Sequence, residues 1–272
     1  MKKLIISVSA AGLILLFSAS SGYAETITKP PTRLYEQNTM SILWFQNSGE
    51  AKALYFQGYN IGKMRLDEIL RKKQYNRALK PAIVLDIDET ILDNSPHQAS
   101  YVVNGKGDPR DWSKWIKRAD AKLLPGALDF LRYADSKGVE IFYISNRQEA
   151  AKESTIKNLQ KVGVPQADAN HVLLQQESEN GKENRRQQVA KTHDILLLFG
   201  DNLGDFSGFD GLTDRGRLET VNKLKEEFGK KLIVFPNPMY GDWEGAIYDF
   251  NLKKPWQEIE KIRRDHLQTY EP

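Results

Sequence analysis

The chain has 272 residues, 40% of them hydrophobic and 28% charged, which is enough apolar material for one sizeable domain with a small appendage. It contains no cysteine, which excludes disulfides, thiol nucleophiles, cysteine-ligated zinc and a lipid anchor through cysteine. A formal charge of only +3 leaves no basic footprint for a nucleic acid polymer or an anionic membrane.

Residues 1–24 read as a signal peptide. Lys2 and Lys3 form a basic start, residues 4–17 an apolar core, and Ser21-Gly22-Tyr23-Ala24 supplies small residues for cleavage after Ala24. The apolar run is short for a bilayer span of ~20 residues. The expectation is therefore export, to a secreted or envelope-associated location, with no transmembrane span left after cleavage. Phe17-Ser18-Ala19-Ser20 looks like a lipoprotein signal with Ser20 in the cysteine position, and is read as an ordinary signal peptide. Lys2 and Lys3 carry most of the net positive charge, so the mature chain is close to neutral.

Residues 25–33 contain Pro30-Pro31 and read as an extended lead-in. From 35 to about 73 the pattern turns helical. Ala51, Leu54, Tyr55, Gly58, Ile61 and Met64 recur at helical intervals, with Leu43 and Phe45 on an earlier turn, which predicts two helices beside a core. A βα rhythm follows. Strands are predicted over 82–85, 140–144, 171–174, 195–199 and 232–235. Helices are predicted over 126–137, 149–162, 184–192, 215–228 and 255–267, with Gly163 and Gly229 as stop signals. Alternating strands and helices predict an α/β fold: a parallel sheet between two helical layers. Residues 96–124, rich in Trp, Gly and charge, interrupt the rhythm. An insertion directly after the first strand would lie over that strand's end, so 35–75 and 96–124 are read as a small, mostly helical cap on one domain spanning 25–272.

The chemistry gathers at strand ends. The first strand runs into Asp86-Ile87-Asp88-Glu89-Thr90 and the second into Ser145-Asn146-Arg147. Lys182 lies in a polar turn after the third, and the fourth runs into Asp201-Asn202-Leu203-Gly204-Asp205. In a parallel sheet these ends converge on one crevice. Asp-x-Asp-x-Thr alone is compatible with a calcium loop, a capped helix start or a catalytic pair. The four ends together, in this order, point to catalysis.

This set resembles the haloacid dehalogenase superfamily of phosphotransferases. More narrowly, 83–94 and 195–206 resemble the two signatures of bacterial class C acid phosphatases, of the lipoprotein e and 5′-nucleotidase type. The resemblance extends to Trp44-Phe45-Gln46-Asn47-Ser48 and to Pro236-Asn237-Pro238-Met239-Tyr240-Gly241. It implies a Rossmann-like α/β/α core, with Asp86 as the nucleophile that forms an aspartyl-phosphate. Asp88 would protonate the leaving alcohol and later activate water, at an acidic working pH. The resemblance also implies Mg²⁺ held by Asp86, Asp201 and the Asp88 backbone carbonyl. Asp205 would either position a metal-bound water or cap a helix start.

Lys182 would neutralise the phosphate, with Lys191 as a rival placed too late in its helix. Thr90, Ser145 and Asn146 would bind phosphate oxygens. Arg147 would either add charge there or pair with a surface acid. For the substrate pocket the expected residues are Tyr240, as a stacking platform, and His97, where the family signature usually has tyrosine. Trp112, Trp115 and Tyr101 are further aromatics of the cap region. The implied substrates are small phosphomonoesters, with nucleoside 5′-monophosphates and aryl phosphates foremost. Homodimers are common in the family. The competing reading is a non-catalytic surface protein that binds nucleotides or another ligand on the same fold, and it need not keep Asp86, Asp88, Lys182 and Asp201 together.

Overall fold

The computed structural model describes residues 32–105 and 109–270. The expected signal peptide lies outside the described residues, as does most of the lead-in. Three helices open the fold: α1 (Thr32–Glu36), α2 (Thr39–Asn47) and the long α3 (Gly49–Lys72). Ser48 caps α3 by accepting the Ala51 N–H at 3.0 Å. Glu50 in the first turn and Arg71 and Lys72 in the last complement the helix dipole.

The face that α3 buries differs from the expected one. Ala51, Tyr55, Gly58, Tyr59, Gly62, Leu66 and Ile69 face inward, whereas Leu54 and Met64 are exposed. The reason is close approach. A Cβ at Gly58 would lie 2.3 Å from the Phe235 ring, and one at Gly62 would lie 2.6 Å from Phe199. Two glycines one turn apart let α3 lie flat on aromatic side chains of the sheet.

After α3 the chain forms β1 (Lys80–Leu85) and the short β2 (Leu92–Asp93). The insertion follows as α4 (Ser95–Asn104) and α5 (Pro109–Arg118), closed by β3 (Lys122–Leu123), which pairs antiparallel with β2. Then come α6 (Ala127–Ser136), β4 (Glu140–Gln148), α7 (Lys152–Lys161), β5 (Val172–Gln175), α8 (Glu183–Ala190) and β6 (His193–Gly200). The chain continues through α9 (Asp214–Lys223), β7 (Leu232–Val234), α10 (Asp242–Ile247) and α11 (Trp256–Asp265). The helix expected over 215–228 stops at Lys223, because the Glu227 carbonyl turns to accept the N–H groups of Lys230, Lys231 and Leu232.

The five main strands lie in the order β5-β4-β1-β6-β7, all parallel. Side-chain alternation divides the core between the two faces. Ile83, Leu85, Ile141, Tyr143, Leu197 and Phe199 pack under α3 and α6, while Ala82, Val84, Phe142, Ile144 and Leu198 pack toward α8 with Phe206 and Phe209. Helices on both faces explain why β1 is apolar on both sides. The chain leaves β1 for β4 on one side and later returns to β6 on the other, so the switch in strand order falls beside β1, where ligands bind in open α/β sheets.

Candidate active site

Asp86 follows β1 directly, and its N–H donates to the Phe199 carbonyl at 2.9 Å, so it prolongs the ladder toward β6. Beyond it the chain folds back tightly. Ile91 and Leu92 donate to the Ile87 carbonyl, Glu89 donates to the Leu92 carbonyl, and Glu89 takes the left-handed conformation at φ 53°. Two tyrosines one turn apart on α3 hold this loop. Tyr55 donates to the Glu89 carbonyl, and Tyr59 donates to the Thr90 carbonyl at 2.7 Å.

The cleft above the loop measures about 460 Å³. Asp86, Asp88, Ser145, Asn146, Arg147, Lys182, Asp201, Asp205 and Tyr240 all line it, together with Trp112 and residues of 241–252. Asp88 is held by several donors: Ser145 Oγ at 3.1 Å, Asn94 Nδ2 at 2.8 Å, and the Arg147 guanidinium at 2.7 Å from Nη2. β4 runs on through this polar segment to Gln148, beyond its expected end, with its pairing to β5 shifted between Ser145 and Gln148. The irregularity turns Ser145 and Arg147 toward Asp88.

Arg147 therefore pairs with an acid of the cleft, Asp88, and not with a surface acid. It chelates Asp88, reaches Thr155 Oγ1 at 3.2 Å, and stacks 5.6 Å from the Trp112 ring centre, with its side chain buried. A planar fork beside a carboxylate and an aromatic face suits arginine and not lysine.

Lys182 caps α8, with its ammonium buried between Asp86 and Asp205, 2.6 Å from Asp205 Oδ1. Burial alone would lower its pKa, but Asp205 and Asp86 outweigh burial and hold it above the usual lysine value. The carboxylates shift as well. Burial pushes Asp86 up to about 7; Lys182 opposes this and Asp205 and Asp88 reinforce it. Asp201 is raised well above the carboxylate range by burial and by Asp205 and Asp86.

Carboxylate oxygens of Asp86, Asp201 and Asp205 lie within 4.8 Å of one another. Three acids face one lysine in a largely buried setting, so the group lacks positive charge, and all of its donors are oxygens. That donor set fits a hard divalent cation. Asp205 takes the expected capping role, because Oδ2 accepts the Asn202 N–H at 2.9 Å in a capping box, and its carboxylate also lies in the acid group. The Asp88 side chain stands apart from that group and faces Arg147.

Two expected site residues do not line the cleft. Thr90 is fully buried beneath it, with its hydroxyl 3.4 Å from Asp201 Oδ1, because the left-handed turn at Glu89 carries it under the acids. Its hydroxyl faces Asp201 from below the cleft. His97 is buried on α4 among Tyr101, Trp112 and Trp115, with Nε2 3.0 Å from the Tyr101 hydroxyl. It lies behind Trp112 and lines a separate cavity with Lys114 and Arg118. Burial lowers its pKa. Tyr240 does line the cleft, and its hydroxyl donates to Glu89.

Several residues at the site were not anticipated. Glu89 is fully buried, accepts the Asn94 N–H at 2.7 Å, and is pushed well above the usual carboxylate range by burial and by Asp88 and Asp201. Asn94 bridges Asp88 and Trp115. Arg185 ties the Ser145 carbonyl, Asn146 Oδ1 and the Gly181 carbonyl together and so joins two strand ends. Asn237 donates to Asp201 Oδ2 at 2.8 Å. Glu89, Asn94 and Asn237 lie inside the quoted motifs, and only there was a signal available. Arg185 sits on a polar helix with no mark to distinguish it.

The chain belongs to the haloacid dehalogenase superfamily, subfamily IIIB, the acid phosphatases, whose family model matches residues 17–243. Within that class it is most informatively compared with the class C acid phosphatase from Bacillus anthracis. A structure of that enzyme is 55% identical, covering 88% of this chain and 100% of that one, with a TM-score of 0.85. A second structure of the same enzyme, with tungstate bound, is 56% identical with a TM-score of 0.86. Acid phosphatase 1 of Solanum lycopersicum is 24% identical over 209 residues, 70% of this chain and 74% of that protein. The chain is a phosphomonoesterase of the acid phosphatase class. No helix among the described residues is long and apolar enough to cross a membrane.

Proposed function

We propose that the chain is a secreted, Mg²⁺-dependent acid phosphatase working through an aspartyl-phosphate on Asp86. The observation that carries this is one cleft lined by both Asp86 and Asp88, with Lys182 bound to the first and Arg147 to the second. An Asp86 oxygen would attack phosphorus as the bond to the leaving oxygen breaks. Asp88 would give that oxygen its proton and then take one from the water that hydrolyses the acyl phosphate. Lys182, the Ser145 hydroxyl and the Asn146 N–H would meet the phosphate oxygens. Asp86, Asp201 and Asp205 would hold the Mg²⁺, whose charge lets an anionic nucleophile approach an anionic ester. Tungstate in the B. anthracis enzyme supports this reading, since it shares the tetrahedral oxyanion form of phosphate.

The substrate class follows from the walls. Tyr240 and Trp112 offer aromatic surface at the cleft, which favours flat leaving groups such as nucleosides and aryl alcohols. The insertion and the N-terminal helices would act as the cap, because α4 packs on α1 and α2 and α5 brings Trp112 to the cleft.

The test uses protein beginning at residue 25 and a chromogenic aryl phosphate at mildly acidic pH. Hydrolysis is expected, abolished by EDTA and restored by Mg²⁺. Asp86→Asn should be inactive, and full activity of that variant would overturn the mechanism. A panel of nucleoside 5′- and 3′-monophosphates and sugar phosphates should favour 5′-nucleotides; a flat profile would remove that preference. A binding protein without catalysis would bind such ligands and release no phosphate.

A further inference from the structure

Arg185 lies on the first turn of α8, outside the quoted motifs, with its side chain 3% exposed. Its guanidinium gathers backbone and side-chain oxygens from three places. Nη1 donates to the Ser145 carbonyl of β4 at 2.6 Å and to the Leu173 carbonyl of β5 at 3.4 Å. Nη2 donates to Asn146 Oδ1 at 2.8 Å and to the Gly181 carbonyl at 2.6 Å. Glu179 Oε2 stands 3.2 Å from Nε and balances the charge. Burying a guanidinium is costly, and a brace between α8 and the sheet could be apolar. The partners that Arg185 selects therefore bear on its role.

The peptide between Ser145 and Asn146 is the informative one. Its carbonyl and its N–H belong to one planar unit and point in opposite directions. Arg185 holds the carbonyl from the buried side. The Asn146 N–H is then turned away from the guanidinium, on the side where Asn146 lines the cleft. The sheet alone gives this peptide a poor hold, because the pairing of β4 with β5 shifts between Ser145 and Gln148. A carbonyl bound to a cation also makes the N–H across the same amide a stronger donor. The second arm of the fork joins Asn146 Oδ1 to the Gly181 carbonyl, one residue before Lys182, and so keeps the two strand ends at a fixed spacing.

We propose that Arg185 is a positioning residue for the phosphoryl group: it aims the Asn146 N–H into the cleft and sets the distance between that donor and Lys182. The proposal rests on the reading of Ser145, Asn146 and Lys182 as the groups that meet the phosphate oxygens. Arg185 itself touches no substrate. Its effect falls on the part common to all phosphomonoesters and is blind to the leaving group, in contrast to the aromatic wall at Tyr240 and Trp112.

The test is tungstate binding in excess Mg²⁺, followed by calorimetry. Arg185→Met should weaken it by about tenfold or more, because an oxyanion donor is no longer aimed. Arg185→Lys should shift it in the same direction, since an ammonium cannot reproduce the fork. Glu179→Gln keeps every guanidinium bond to β4 and should bind tungstate as the wild type does. With selective ¹⁵N-asparagine labelling, tungstate should move the Asn146 amide proton downfield in the wild type and less in Arg185→Lys. Aryl phosphate and glycerol phosphate should lose kcat/KM by the same factor. If Arg185→Met fails to fold, Arg185→Lys decides. A folded Arg185→Lys that binds tungstate as tightly as the wild type, with the full Asn146 response, would overturn the proposal, as would a loss confined to aryl esters. Wild-type protein that binds tungstate but hydrolyses no ester would overturn the aspartyl-phosphate reading alone, and the tungstate comparison would still decide the role of Arg185. Wild-type protein that binds no tungstate would overturn both.

Discussion

The fold holds Arg147 against Asp88 with its side chain buried. As a phosphate ligand it would act mainly on substrate binding. As the partner of Asp88 it would position the group proposed to handle the proton. Arg147→Met should therefore lower kcat by about 10²-fold or more, since small misplacements of a reacting group cost that much. KM should move little. The same change leaves Asp88 without its buried partner and should cost roughly 3–5 kcal/mol of stability, measurable by urea unfolding. A rise in KM at unchanged kcat would return Arg147 to the phosphate. Trp112 joins the two regions at this point, because its ring stacks on Arg147 on one side and meets His97 on the other.

At the scale of elements, α3 is both a packing helix and the scaffold of the loop that carries Asp86 and Asp88. Gly58 and Gly62 bring it down onto Phe235 and Phe199, and Tyr55 and Tyr59 on the same face then reach the carbonyls of Glu89 and Thr90. Gly62→Ala would place a methyl group 2.6 Å from Phe199. Overpacking of that kind costs about 1–3 kcal/mol, against a gain in helix propensity of up to about 1 kcal/mol. The expected result is a net loss of stability by denaturant titration, accompanied by lower kcat as the tyrosines lift away from the loop. Unchanged stability would show that α3 has room to shift. The short pair β2 and β3 does related work, since it closes the insertion and sets Asn94 beside Asp88.

At the scale of the whole molecule, the buried acids make stability depend on pH and on metal. Burial raises Asp86 to about 7, and Asp201 and Glu89 also lie well above the carboxylate range. For a carboxyl group raised on folding, the native state holds protons that the unfolded chain has released. Stability is then fullest below the unfolded pKa of about 4 and falls as pH rises toward about 7. Metal-free protein should accordingly melt at a lower temperature at pH 7 than at pH 5. A divalent ion supplies the missing charge, so Mg²⁺ should raise the melting temperature most at the higher pH. A slope of opposite sign in EDTA would contradict this account.

The sequence by itself determined the parallel α/β layout and the strand ends that carry Asp86, Asp88, Ser145, Lys182 and Asp201. Those features are local: apolar runs of strand length, glycine stops, and polar residues at the point where a run breaks. Topology then obliges such ends to converge, so the order of the motifs was enough to bring the acids together. Only the tertiary structure decided what each polar group touches. Arg147 pairs with a residue 59 positions away, and Lys182 with one 96 positions away. Thr90 turned under the cleft because Glu89 took a left-handed conformation, and His97 turned behind Trp112 because the insertion folded its aromatics together. Hydrogen bonds across such separations have no period and leave no pattern in composition. They are chosen by which elements pack side by side, as the two glycines of α3 chose the tyrosines that hold the loop after Asp86.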